Sequence, residues 1–215
     1  MTKSGSDRVP AKTQVLYDRI ADMQSLAMRL NGYRRSVAKY LASLDLDLDR
    51  DSVVLDAGSG TGIVTNAFND AGLEARRIIS LDLSLNSLKV AREHPKSRKK
   101  YAMRTDPVQA DVLKMPFADE TFDLVLMCGV LEYTPLDDGL GEAARVLKKG
   151  AQLVFLPVKP SIVGSVLELI YNFKTYPLKS VREAASRYFK IVGNYEFPIT
   201  EPISWSKTIF LLEKK

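Results

Sequence analysis

The part of this sequence best suited to chemistry is an apolar segment followed by an acid and by three glycines at alternate positions. The segment covers residues 53–55, the acid is Asp56, and the glycines are Gly58, Gly60 and Gly62. Because glycine has no Cβ, the backbone can turn tightly at positive φ and let a ligand lie against it. The helix expected next offers unpaired N–H groups to a negative or polar ligand group. The run predicts a ligand-binding turn, with a purely structural glycine turn as the alternative.

The spacing of the glycines discriminates between ligands. A dinucleotide fingerprint needs a further glycine at position 63, where Ile63 stands. A phosphate-binding P-loop ends in Gly-Lys-Ser or Gly-Lys-Thr, and no lysine closely follows Gly62. A nicotinamide dehydrogenase is also disfavoured because the sequence has neither a Tyr-x-x-x-Lys pattern nor a histidine constellation around its one histidine, His94.

Two further acids follow short apolar runs. Asp82 ends the run of residues 77–81, 26 residues after Asp56, where a carboxylate can accept hydrogen bonds from both hydroxyls of a ribose. It could equally be the N-cap of the next helix, a role that Ser84 could also fill. Asp111 follows the next β-rich run. Residues 122–133 begin as an apolar strand and continue into a loop.

The elements that must position these residues alternate along the middle of the chain. Short apolar runs separated by helical segments predict a parallel sheet with helices on both faces. The right-handed crossover rule makes this a doubly wound α/β domain, whose carboxyl sheet edge is where ligands bind. The predicted strands are residues 52–55, 77–81, 107–110, 122–127 and 151–157, and the predicted helices between them are residues 61–69, 85–93 and 138–147.

Segments on either side of this alternation predict further helices and strands. Residues 13–44 predict two helices broken at Asn31-Gly32, and the C-terminal part predicts helices at 161–173 and 180–188 and strands at 191–196 and 205–212. We expect one domain over residues 1–215, with a core at 52–158 and a C-terminal hairpin at 191–213. Residues 13–44 and 161–188 are expected to cap the carboxyl edge, with packing against the sheet flank as the alternative. Residues 161–173 are apolar nearly all round, which predicts burial.

Composition excludes several classes of protein. The 215 residues are 46% apolar and 27% charged, as in a soluble globular protein. The single cysteine, Cys128, and the single histidine exclude an intrachain disulfide and multi-cysteine or two-histidine metal sites. No apolar run approaches the roughly 20 residues of a membrane span, and a polar N-terminus favours a cytoplasmic location. The net charge of +5 is densest in residues 92–104, where a solvated turn is favoured over a nucleic-acid surface.

Together, these motifs resemble the class I S-adenosylmethionine-dependent methyltransferases. The resemblance covers residues 52–157, where the glycine turn, Asp82, Asp111 and the strand of residues 122–133 occur in order at suitable distances. Residues 16–21 are similar to the opening segment of quinone C-methyltransferase-like members. The family implies a Rossmann-like seven-stranded sheet, mostly parallel with a C-terminal antiparallel hairpin, and S-adenosylmethionine as cofactor.

The resemblance also implies the residues that bind the cofactor. Asp56 and the glycine turn would hold its methionine part, Asp82 its ribose, and Leu83, with Asp111 and Val112, its adenine. Cys128 and Gly129 would line the methyl-transfer mouth, and Tyr17 would close over the cofactor. The implied cofactor-binding set is Asp56, Gly58, Ser59, Gly60, Gly62, Asp82, Leu83, Asp111, Val112, Cys128, Gly129 and Tyr17.

The implied activity is methyl transfer to an O, N or C nucleophile of a small molecule or lipid precursor, without a metal. The alternatives are an RNA or protein methyltransferase and a cofactor-binding but inactive subunit. The strand of residues 122–133 lacks the Asn/Asp-Pro-Pro-aromatic pattern of exocyclic-amine methylation, which argues against nucleic acid, and an intact glycine turn with Asp82 argues against an inactive subunit.

No residue is assigned as the catalytic base. Glu132 and Tyr133 lie nearest the expected mouth, but roles in starting a helix and in packing account for them equally well. Lys174, Lys179 and Arg182 follow the apolar helix and could meet an anionic head group or a membrane surface. The acceptor, the methylated atom and the oligomeric state are left open.

Overall fold

The computed structural model describes residues 32–93 and 104–215, which form a sheet with helices packed around it. The strands are β1 Val53–Ala57, β2 Arg77–Asp82, β3 Arg104–Gln109, β4 Phe122–Cys128, β5 Leu147–Leu156, β6 Phe189–Tyr195 and β7 Ile209–Lys214. The α-helices are α1 Tyr33–Leu41, α2 Ile63–Ala71, α3 Leu85–Glu93, α4 Leu136–Val146, α5 Ile162–Tyr171 and α6 Leu178–Tyr188, and short 3-10 turns cover Leu131–Tyr133 and Pro202–Trp205.

The seven strands form one sheet in the order β3-β2-β1-β4-β5-β7-β6. Strands β1 to β5 pair in parallel, whereas β7 is antiparallel to both β5 and β6. The order reverses between β1 and β4, because the chain leaves β1 towards β2 and β3 and later returns to the other side of β1. A crevice outside the carboxyl ends of strands at such a reversal is the usual ligand site of an open α/β sheet. The predicted doubly wound seven-stranded sheet is confirmed.

Neighbouring residues of the central strands point to opposite faces of the sheet, and each face is covered by helices. Val54 and Leu124 belong to the apolar cluster that contains residues of α1 and α2. Leu55 and Val125 belong to the cluster that contains residues of α4 and α6. Burial on both sides explains why β1 and β4 are almost uninterrupted apolar runs in the sequence. The predicted helices on both faces are confirmed.

Two strands, β5 and β7, begin four residues away from their predicted starts, the largest of the boundary differences. Strand β5 begins at Leu147 rather than at residue 151, and its pairing with β4 shifts register between Phe122 and Leu124. Gly150, at φ 73°, allows this irregularity. Trp205, the predicted start of the last strand, belongs to the turn Pro202–Trp205, and β7 begins only at Ile209.

Helix α5 contradicts the prediction that residues 161–173 are buried. Ile162, Val166, Leu169 and Ile170 are all exposed. An apolar composition on all sides does not identify which side meets the protein, and α5 follows the carboxyl end of β5 rather than packing on a face of the sheet. After α5 the chain returns to the segment that follows β4, where Lys174 N donates to Glu132 O at 3.1 Å.

The N-terminal part of the expected cap is described only in part. Helix α1 corresponds to the second of the two helices predicted in residues 13–44 and packs against α2. The first of those helices, Tyr17, His94 and most of the basic run of residues 92–104 lie outside the described residues. In the described part of the chain, no helix is long and apolar enough to cross a bilayer.

Candidate functional site

The glycine turn joins the ends of β1 and β2. Gly58 N and Ser59 N both donate to Leu81 O, at 2.8 and 2.9 Å, so the turn is fixed to the carboxyl end of the neighbouring strand. Gly58, Gly60 and Gly62 have φ values of 74°, 51° and 81°, in the left-handed region that side chains disfavour. Helix α2 starts immediately after Gly62 and directs its N-terminus towards this edge.

Two observations show that the turn leaves space for a ligand and a polar atom that can bind it. Within residues 32–93 and 104–215, no atom beyond the chain neighbours lies within 4 Å of the position that a Cβ on Gly60 would take, so the space beside the backbone is open. The Ser59 Oγ is buried and has no hydrogen-bond partner in the part of the chain that the structure describes. Buried polar atoms are rarely left unpaired, so an orphaned hydroxyl in an open glycine turn fits a polar ligand group.

Asp82 lies at the carboxyl end of β2 and holds the glycine turn from the side. Its Oδ2 accepts from Gly60 N and its Oδ1 from Ser84 N, both at 2.8 Å. Burial raises the pKa of this carboxyl group, and the two N–H donors oppose that rise. Ser84 is the residue that caps α3, because its Oγ accepts from Ser87 N at 3.1 Å. Each carboxylate oxygen of Asp82 retains a lone pair for a further donor.

Asp56 is buried more deeply than Asp82. Its side chain is 1% exposed, and its Oδ2 accepts from both the backbone N and the hydroxyl of Thr65, at 3.0 and 2.6 Å. Burial raises the pKa of Asp56 to about 6, and the bonds from Thr65 counteract part of that effect. Asp56 therefore ties the end of β1 to α2 and fixes the direction in which the glycine turn leaves the strand.

The residues expected around an adenine lie beside Asp82 at the same edge. Leu83 is 69% exposed directly after β2, and Val112 is buried in the core. Asp111 is exposed, and its Oδ1 accepts from Leu113 N at 2.9 Å. Ala110 N donates to Asp82 O at 3.2 Å, which draws the segment after β3 towards the end of β2.

Cys128 is the last residue of β4 and Gly129 follows it, across the crevice from the glycine turn. The Tyr33 hydroxyl from α1 and the Cys128 thiol are hydrogen-bonded at 2.8 Å. Burial raises the pKa of Cys128, with Lys207 opposing the rise, and burial likewise raises the pKa of Tyr33. Both groups therefore stay neutral near neutral pH. Val130 then packs against Gly58, which closes the distance between the two loops.

Two residues near this mouth were missed by sequence reasoning. Tyr33 lies 95 positions before its partner Cys128, and Lys207 precedes the last strand of the sheet. Neither belongs to a motif, and a contact across such a separation leaves no periodic signal in a single sequence. The structure brings together Asp56, the glycine turn, Asp82, Asp111, Cys128 and Gly129 at one edge, as predicted.

Similarity to known proteins decides the family. The family described as "Methyltransferase domain" matches residues 55–155, which span β1 to β5. A demethylmenaquinone methyltransferase from Thermobifida fusca is 31% identical over 167 residues, which cover 74% of this chain and 69% of that protein. The chain belongs to the class I S-adenosylmethionine-dependent methyltransferases. As a member of this family, it is an enzyme that transfers a methyl group from S-adenosylmethionine.

Solved methyltransferase structures share the fold. A chain from the complex between the Haloferax volcanii Trm112 methyltransferase activator and a methyltransferase superposes with a TM-score of 0.72 at 18% identity, covering 92% of this chain and 97% of that one. Geranyl diphosphate C-methyltransferase from Streptomyces coelicolor, solved with S-adenosylhomocysteine, superposes with a TM-score of 0.64 at 16% identity, covering 83% and 76%. At these identities the likeness supports the arrangement of the sheet.

Proposed function

We propose that this methyltransferase acts on an apolar, lipid-like acceptor and that S-adenosylmethionine lies along the edge formed by β1, β2 and β4. The observation that carries the cofactor assignment is the open glycine turn, with its orphaned Ser59 hydroxyl, held by Asp82. The similarity to a demethylmenaquinone methyltransferase supports a quinol-like acceptor.

The residues at the edge divide into those that touch the cofactor and those that position them. We assign the methionine part to the glycine turn, the ribose to Asp82, and the adenine to Leu83, Asp111 and Val112. Asp56 acts through Thr65 by fixing the turn. Cys128 and Gly129 line the mouth where the methyl group is presented.

The bound cofactor supplies an already activated methyl group, so the protein mainly has to align the acceptor and exclude water. Contacts made by residues after α5 support a cap that excludes water from the mouth. The rings of Tyr133 and Phe173 meet edge to face at 5.5 Å, and the Tyr176 hydroxyl donates to Thr134 O at 2.9 Å. These contacts join residues 161–188 to the loop after β4, as the proposed cap requires.

Calorimetry with the purified protein tests the cofactor assignment. We expect S-adenosylmethionine and S-adenosylhomocysteine to bind and NAD not to bind. Helix α2 starts with Ile63 where a dinucleotide site needs a glycine for close helix–strand packing. NAD binding tighter than S-adenosylmethionine would contradict the proposal.

Replacing Leu167 with alanine tests the cap. Leu167 is half-buried on α5, whereas Leu169 on the same helix is 87% exposed. We expect Leu167→Ala to lower kcat/KM for a naphthoquinol acceptor about 10-fold or more, because an apolar pocket loses contact area, while S-adenosylhomocysteine affinity stays within about twofold. Leu169→Ala is the matched control and should leave both quantities near those of the unsubstituted enzyme. Equal effects of the two substitutions would count against a cap.

A further inference from the structure

A buried pair of opposite charges lies at the mouth and has no part in the proposed cofactor contacts. Lys207 and Glu132 are each only 4% exposed, and the Lys207 Nζ is 4.0 Å from the Glu132 Oε1. Glu132 stands in the 3-10 turn after β4, and Lys207 bridges Val158 just after β5. The pair therefore sits at the carboxyl ends of two central strands.

The hydrogen bonds of this pair are incomplete. An ammonium group has three donors, yet the described part of the chain gives Lys207 Nζ one long hydrogen bond, to Leu156 O at 3.4 Å. The Glu132 Oε1 accepts from Val158 N, and its Oε2 has no partner among residues 32–93 and 104–215. Buried charges are normally satisfied by hydrogen bonds, so the ammonium has capacity for another acceptor atom.

The ammonium lies against the residues assigned to the mouth. A Cβ on Gly129 would come within 2.7 Å of Lys207 Nζ, so the glycine leaves the space that the ammonium occupies. The titratable groups near it are Cys128, Glu132, Tyr33 and Asp56. Burial keeps the thiol and the phenol neutral, and Glu132 is held by Val158 N beyond hydrogen-bond distance from Nζ.

We propose that Lys207 binds the oxyanion of an acceptor with an acidic hydroxyl group, a phenol or an enol, and that Glu132 positions Lys207. The inference rests on the proposed function, whose mouth it occupies. The acceptor loses its hydroxyl proton to bulk solvent before it enters the mouth, and the oxyanion then accepts hydrogen bonds from the Lys207 ammonium, which keeps its own protons. A positive charge at about 4–6 Å lowers the pKa of an acid by about one to three units. The enzyme thereby gains a better nucleophile without a separate base.

The test uses 4-nitrophenol as probe, because its absorbance reports its ionisation, bound to protein saturated with S-adenosylhomocysteine. We expect the apparent pKa of the bound probe to fall by about one to three units relative to the free probe in the unsubstituted enzyme. Lys207→Met should abolish that shift, and Lys207→Arg should retain most of it. Lys190→Met is the matched control, since Lys190 forms an exposed pair with Glu213 on β6 and β7.

Removing one partner of a buried pair leaves the other charge uncompensated, so the double variant Lys207→Met/Glu132→Gln is measured beside the single one. It should fold, bind S-adenosylhomocysteine and show no shift for the probe. The inference is overturned if the unsubstituted enzyme shows no preference for the phenolate, or if either Lys207→Met variant retains the full shift. Failure of the unsubstituted enzyme to bind S-adenosylhomocysteine would instead count against the proposed cofactor site.

Discussion

Replacing Asp82 with alanine is expected to weaken S-adenosylhomocysteine binding roughly 10- to 150-fold, the equivalent of losing a hydrogen bond to a charged group. The substitution removes the carboxylate assigned to the ribose hydroxyls. It also leaves Gly60 N and Ser84 N without their carboxylate acceptor, so the hydrogen bond that holds the glycine turn to the end of β2 is lost. Isothermal titration calorimetry measures the affinity, and thermal denaturation establishes that the variant is folded.

Two variants separate ligand contact from turn geometry. Asp82→Asn keeps one oxygen that can accept from a backbone N–H but removes the charge, so its loss of affinity should be smaller. Asp49→Ala disrupts a similar turn that lies before β1, at the opposite edge of the sheet. In that turn the Asp49 Oδ1 accepts from Asp51 N and from the Ser52 hydroxyl. Its S-adenosylhomocysteine affinity should be unchanged. An unchanged affinity for Asp82→Ala would mean that Asp82 serves only the local backbone.

The part of the site that the sequence predicts consists of residues directly after strands. Strand order alone predicts that Asp82 and Asp111 lie at one edge, because parallel strands share the direction in which they end. The sequence left open whether Asp82 or Ser84 caps the next helix. The structure decides this, since the Ser84 hydroxyl accepts from Ser87 N while Asp82 faces the glycine turn.

Residues brought in from distant elements escaped prediction. Tyr33 reaches Cys128 only because α1 packs against α2, and Lys207 reaches Gly129 only because β7 inserts between β5 and β6. The exposure of α5 was missed for a related reason. Its composition predicts contact with something apolar, but the position of the helix beyond the sheet edge depends on the whole fold.

Because the loops that contain Gly58 and Val130 approach each other closely at the crevice, we expect a substitution there to destabilise the fold strongly. Gly58 has φ 74°, which costs a residue with a side chain about 1–2 kcal/mol. A Cβ there would also come within 2.6 Å of Val130 Cβ, and such overpacking typically costs about 1–3 kcal/mol. We therefore expect Gly58→Ala to lower the free energy of unfolding by about 2–5 kcal/mol, measured by urea denaturation.

Gly32→Ala isolates the backbone component of that loss. Gly32 has φ 70°, but apart from its chain neighbours no described residue has an atom within 4 Å of its Cβ position, so its substitution should cost only the strain of about 1–2 kcal/mol. Adding Val130→Ala to Gly58→Ala removes the methyl groups of Val130 and should relieve part of the crowding. Equal losses for Gly58→Ala and Gly32→Ala would show that the loops can separate at no cost. If the loss is instead larger at Gly58, the contact between Gly58 and Val130 holds the glycine turn against the mouth, and the affinity for S-adenosylhomocysteine should fall with the stability.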